Sequence, residues 1–198
     1  EKLELVISVV VSVFSAQRNL LDYLPSLGHI PRVVNYLPST SLPVTRAATL
    51  STHQFTFSKV CSSVLECTEV VSGLVSAMKI RPDLVGVACE ALHNLFSGSG
   101  LSASSLVDQG IRANVVPFLL SLLENPRLQV SNPASTKAQI VTCLKTMAAS
   151  PQHSDEVSHV GNYYMTFLFR FNIAPLMPFF FPSILFDFLL LITFIIIM

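Results

Sequence analysis

Three short apolar segments recur along this chain of 198 residues, and their spacing constrains the fold more than any other feature. The first is Ile30-Pro31-Arg32-Val33-Val34-Asn35-Tyr36-Leu37. The second, Val71-Ser72-Gly73-Leu74-Val75-Ser76-Ala77-Met78, starts 41 residues later, and the third, Val116-Pro117-Phe118-Leu119-Leu120-Ser121-Leu122-Leu123, starts 45 residues after that. Each opens on an aliphatic residue, follows it with a small residue or proline, places aliphatics near its middle and ends apolar. Pro31 and Pro117 suit a first helical turn, where a missing N–H leaves no bond unmade. Gly28 and Gly110 lie shortly upstream, where a tight turn between helices calls for glycine.

A period of about 40–47 residues is that of armadillo and HEAT repeats. In such arrays each helix is apolar on several sides because its neighbours cover it. The middle copy leads into a second helix from Arg81-Pro82-Asp83 to Phe96. There Leu84, Ala88, Ala91, Leu92 and Leu95 form a stripe at helical spacing, and Ser97-Gly98-Ser99-Gly100 stops it. The third copy leads into a helix capped by Asn132, begun by Pro133 and carried through Ala149, with Ile140, Val141, Leu144, Met147 and Ala148 inward. The first copy breaks the pattern. Residues 38–58 hold two prolines and many Ser and Thr, and read as a loop. Residues 3–14 are short and apolar and, with the helical spacing that follows, read as a buried helix. The expectation is an all-α fold: an armadillo/HEAT-like helical repeat solenoid over residues 1–160, with a loop-like break at 38–58, then a hydrophobic C-terminal tail over 161–198.

Charge narrows the function. Twelve basic and twelve acidic residues cancel and form no block of one sign, so the footprint of a nucleic-acid binder is missing. Cys61, Cys67, Cys89 and Cys143 form no C-x-x-C pair, and the chain has no N-x-S/T sequon; both favour a reduced, cytosolic compartment. No basic segment with a small-residue cleavage pattern opens the chain. Its start at Glu1 leads us to expect a fragment or processed product.

Three stretches carry a family resemblance: Leu27–Val34 (LGHIPRVV), Arg81–Phe96 (RPDLVGVACEALHNLF) and Ala134–Val160 (ASTKAQIVTCLKTMAASPQHSDEVSHV). They resemble the C-terminal region of the very large endosomal DnaJ-type co-chaperones named for receptor-mediated endocytosis. That family includes DnaJ homologue subfamily C member 13 in animals and members linked to vacuolar sorting and gravitropism in plants. The resemblance covers residues 3–37 and 60–160. It implies a place on the cytoplasmic face of endosomes, protein partners in the endosomal sorting machinery, and recruitment of the chaperone Hsc70 through a J domain. A J domain needs a His-Pro-Asp tripeptide; Arg81-Pro82-Asp83 lacks the histidine. Only the armadillo-like scaffold role carries over, and no functional residue of the family maps onto this sequence.

No catalytic, cofactor or metal site is expected, and the chain does not read as an enzyme. His29, His53, His93, His153 and His159 include no H-E-x-x-H pair, and no cysteine has a second ligand at zinc-site spacing. Ser154, Asp155 and His159 invite comparison with a triad, but triads are defined by geometry and not by local clustering; a solvated helix end is the simpler reading. Gly98-Ser99-Gly100 resembles the start of a phosphate loop but is followed by no Lys-Ser/Thr, and reads as a linker. The charged residues Lys79, Arg81, Glu90, Arg112, Glu124, Arg127, Lys137 and Lys145 recur near repeat edges. They read either as a solvated face or as a concave partner-binding surface, which solenoids commonly offer.

The tail is unlike the rest. From Tyr163 to Met198 the only charges are Arg170 and Asp187, and nine of the fourteen phenylalanines lie there. Phe179–Met198 has the length of a transmembrane helix, and Asp187 at depth costs about 2.5–3.5 kcal/mol. Three readings stay open: an anchor, which would make the chain a small tail-anchored adaptor with a cytosolic helical domain; translated thymine-rich non-coding sequence; or a core helix.

Overall fold

The computed structural model describes residues 2–98, 101–124 and 132–148. The tail, Arg127, His153 and His159 lie outside them. Among the described residues the chain is all-α, with no strand.

Helix α1 spans Lys2–Ala16. A 3-10 helix over Arg18–Leu27 follows and stops at Gly28, whose φ of 64° is left-handed and easy only for glycine. Then come α2 (Ile30–Asn35) and α3 (Leu42–Phe55). Helix α4 (Lys59–Glu66) bends by 90° into α5 (Val70–Ile80). A short 3-10 turn at Pro82–Leu84 runs into α6 (Val85–Phe96). Helix α7 (Leu101–Arg112) bends by 62° into α8 (Val115–Glu124) through Asn114, whose φ is 54°. Helix α9 spans Pro133–Ala148. All three recurring apolar segments therefore fall in helices: α2, α5 and α8.

The loop expected over 38–58 is a helix, α3, through most of its length. Pro43 sits in the first turn, where it breaks nothing. The threonines that argued against a helix are absorbed by it. Thr45 Oγ1 donates to the Ser39 carbonyl at 2.6 Å, and Thr49 Oγ1 donates to the Thr45 carbonyl one turn back at 2.8 Å. With their hydroxyls bonded locally, Thr45 and Thr49 are wholly buried beside Ala48 and Phe55; Thr52 is wholly buried too, with its hydroxyl unpaired.

Gly110 is a second correction. It lies inside α7, not in a turn, and a Cβ there would meet Met147 Cε at 2.9 Å and Phe96 Cζ at 3.2 Å. Its smallness lets α7 approach α6 and α9. The cap at Asn132 is as the sequence predicts: its Oδ1 accepts from the Ser135 N–H at 3.1 Å.

Packing follows the helix order. Helix α3 lies against α1 on one side and α6 on the other, and α6 lies against α9. The 3-10 helix Arg18–Leu27 packs on α4, and α4 on α7; α2 packs on α5. Fully buried Leu21, Leu65, Leu74, Met78, Leu92 and Leu119 fill the space between these rows. Each such leucine or methionine contributes about 1.5–3 kcal/mol by leaving water.

Candidate interaction surface: a polar seam across four helices

Polar side chains link each neighbouring pair in the row α1–α3–α6–α9. Between α1 and α3, Ser15 Oγ lies 3.3 Å from Gln54 Oε1 while it also donates to the Val11 carbonyl. Between α3 and α6 there are two links. Asn94 Nδ2 donates to Thr56 Oγ1 at 3.0 Å, and His53 Nε2 faces Glu90 Oε2 at 3.4 Å. Between α6 and α9, His93 Nδ1 and Thr146 Oγ1 are 2.8 Å apart. The two threonines act alike. Each hydroxyl reaches a carbonyl of its own helix, Thr56 to His53 at 2.7 Å and Thr146 to Thr142 at 2.9 Å. The Thr56 oxygen is then an acceptor for the next helix. Ser97 Oγ also approaches His93 Nδ1 at 3.2 Å, and which of these groups donates depends on the His93 tautomer.

Apart from Glu90, an acceptor in the middle of α6, the linked residues sit at or near the C-terminal end of every helix in the row, so the four helices run in the same sense. Two helices of a row can run the same way only if the chain returns between them, and α2, α5 and α8 provide the return. A shared C-terminal edge gathers unpaired carbonyls and the negative ends of four macrodipoles. Donors such as Asn94 Nδ2 suit such an edge.

His53 is the most enclosed member. Its side chain is 13 % exposed against 44 % for Glu90. Its ring meets Phe57 edge-on at 5.0 Å, and the Arg18 guanidinium lies 4.5 Å above the Phe57 ring. Burial holds the imidazole below its ordinary value of 6.5. The charge of the nearby Glu90 carboxylate opposes that shift, and Arg18 adds to it.

The charged residues singled out in the sequence do not converge on one site. Lys79 lies 5.4 Å over the Phe118 ring and joins α5 to α8. Arg81 grips Asp83 through two bonds of 2.8 and 2.7 Å and donates to the Leu42 carbonyl at 3.2 Å, holding the 3-10 turn to the start of α3. The Arg81 hydrogen bond, above all, holds the Asp83 carboxyl below its usual range. Arg112 and Glu124 are exposed, Lys137 and Lys145 half-buried. Only Glu90 belongs to the seam. Thr56, Asn94 and Thr146, which the sequence reading passed over, carry its hydrogen bonds. Their signal was a polar position in each second helix, and with 38–58 read as loop the first of those helices was missing.

The four cysteines are free thiols. Cys61 Sγ donates to the Leu21 carbonyl at 3.0 Å, and burial pushes its thiol up. Burial drives Cys89 up to about 12 and Cys143 well above its ordinary value. Among the described residues no group of three or more His, Cys, Asp or Glu could hold a metal ion. His29 is exposed, capping no site, and Gly98 is an exposed residue past the end of α6. Among the described residues the fold is all-α, and one set of its polar side chains joins neighbouring helices. No protein-family model, curated protein or solved structure matches this chain.

Proposed function

We propose that this chain is a non-catalytic scaffold: an armadillo-like solenoid segment of an endosomal DnaJ-type co-chaperone, acting through protein–protein contacts in endocytic and vacuolar protein sorting. The observation that carries the scaffold reading is the row α1–α3–α6–α9, cross-linked at each step by polar side chains. A row built from like units offers an extended, regularly spaced surface, which suits binding and not turnover. The endosomal assignment rests on the stretches Leu27–Val34, Arg81–Phe96 and Ala134–Val160. Hsc70 is outside the proposal, because its recruitment needs the His-Pro-Asp tripeptide that this sequence lacks.

The test is localisation coupled to integrity of the row. A fluorescent fusion of the chain is expected on early-endosomal membranes, and a variant with Leu92→Asp at the centre of α6 is expected to lose that placement. A wild-type fusion spread evenly through the cytosol overturns the endosomal reading.

A second reading has its own observation, the apolar run Phe179–Met198 with a single charge. On this reading the chain is a tail-anchored adaptor. Among the described residues no single helix is long and apolar enough to cross a membrane, so the anchor would be that run. Fusing Phe179–Met198 to a soluble reporter and extracting membranes with carbonate separates the two: retention supports the anchor, release removes it.

A further inference from the structure

We infer that His53 is a proton-operated joint between α3 and α6, in which uptake of a proton re-forms the contact to Glu90 and loosens the Arg18–Phe57 stack. Three features of the geometry lead there. The first is an orphaned atom: His53 Nε2 is buried with no hydrogen-bond partner. The second is a carboxylate within ion-pair distance that makes no hydrogen bond to it. Glu90 Oε2 stands 3.4 Å away on a side chain that is nearly half exposed, and so free to swing inward. The third is a cation on the other side, Arg18, resting on the same Phe57 ring that His53 meets edge-on.

The neutral imidazole leaves Nε2 without a hydrogen-bond partner. Protonation turns Nε2 into a charged donor, and a charged donor in a buried seam must find an acceptor. Glu90 is the one in place. The new positive charge also stands across Phe57 from Arg18, so the two cations repel through an apolar gap that screens them little. One proton thereby strengthens the α3–α6 contact and weakens the hold of the 3-10 helix on α3. The elements packed on α3 are α1, α2, α5 and α6. Their ionisable groups, with those of α3 itself besides His53, are Arg46, Arg32, Lys79, Cys89, Glu90 and His93; the described side chains of α1 carry none. The charges that shift His53 are Glu90 and Arg18.

The sign follows from the folded protein binding this proton less readily than the unfolded chain, whose histidine titrates at about 6.5. The stability His53 contributes is whole above that value. It is lost as pH falls below it, and the loss is complete once the folded-state value is passed. The joint therefore works on the acid side of neutrality.

Nuclear magnetic resonance of the full chain, labelled with nitrogen-15 and carbon-13, reads the joint directly. The His53 ring resonances are expected to titrate below 6.5. Glu90→Gln removes an upward influence and is expected to move the midpoint further down. Arg18→Gln removes a downward influence and is expected to move it up. The Phe57 amide and the Asn94 side-chain amide are expected to shift with the same midpoint as His53. A His53 midpoint at or above 6.5, or one that ignores both variants, overturns the proposal. So does a His53 titration that Phe57 and Asn94 do not follow, since the residue would then change charge without moving the seam. Because wild-type chain gives the first reading, the test survives a variant that fails to fold.

Discussion

Gly73 sits in the third turn-facing position of the recurring segment, within α5, and replacing it with alanine sets two known effects against each other. In a helix interior alanine is favoured over glycine by about 1 kcal/mol. At Gly73 the added Cβ would stand 2.8 Å from Leu37 Cδ1 and 3.1 Å from Leu37 Cβ. The first contact is with a side-chain tip and could be relieved by rotation in open space. Leu37, however, is wholly buried, and its own Cβ is fixed by the backbone at the end of α2. Relief therefore requires moving α2 away from α5. Overpacking of this kind costs about 1–3 kcal/mol, so Gly73→Ala is expected to destabilise by roughly 0–2 kcal/mol net. Gly86 is the internal control. Its added Cβ meets Gln139 Oε1 at 2.7 Å and Thr136 Oγ1 at 3.3 Å, and the nearer atom ends a flexible, half-buried side chain. Gly86→Ala should keep more of the helix-propensity gain and exceed Gly73→Ala in stability by about 1 kcal/mol or more. Urea unfolding followed by circular dichroism at 222 nm measures both. With a slope of about 1–3 kcal/mol per molar urea, that difference separates the midpoints by about 0.3–1 M. A Gly73→Ala chain more stable than wild type by the full propensity gain would refute the packing of α2 on α5.

Two further outcomes follow from the same packing. Under native conditions a thiol-reactive dye should label Cys67 quickly and spare Cys61, Cys89 and Cys143, the three buried thiols that burial makes poor nucleophiles; mass spectrometry of tryptic peptides identifies the labelled residue, and early labelling of Cys89 would contradict the α6–α9 contact. Leu92→Ala empties a wholly buried position on α6 and should destabilise by about 2–5 kcal/mol in the same urea assay, provided the site cannot collapse.

The recurring segments were legible as helices, because a dense run of apolar residues marks a buried helix whatever its partners. Their register was less so: only the last residue of each, Leu37, Met78 and Leu123, is buried in all three, while the other buried positions differ from one segment to the next. The helix α3 was not legible, and the reason is chemical. Threonine lowers helix propensity when its hydroxyl competes for backbone groups. In α3 that same competition is satisfied within the helix: the Thr49 hydroxyl is tied to the preceding turn and the Thr45 hydroxyl to Ser39 just ahead of it. What remains facing the core is a methyl group, which composition cannot distinguish from an exposed hydroxyl.

The seam was illegible for a further reason. Its links join residues far apart in sequence, Thr56 to Asn94 and His93 to Thr146, and the intervals differ because the turns between helices differ in length. No fixed period marks them. A single residue type does not mark them either, since a histidine, an asparagine and a glutamate each reach across to the neighbouring helix. Most of them share a position at the C-terminal end of neighbouring helices, where carbonyls lack partners and donors are favoured; Glu90, an acceptor in the middle of α6, is the exception. Arg81 makes the opposite point. Its tripeptide with Pro82 and Asp83 invites comparison with a chaperone-triggering motif, yet the structure pairs the two charged side chains with each other and has Arg81 donate to the Leu42 carbonyl as well. A residue committed in that way fixes where α3 begins relative to α6, and so sets the register in which the seam's donors meet their acceptors.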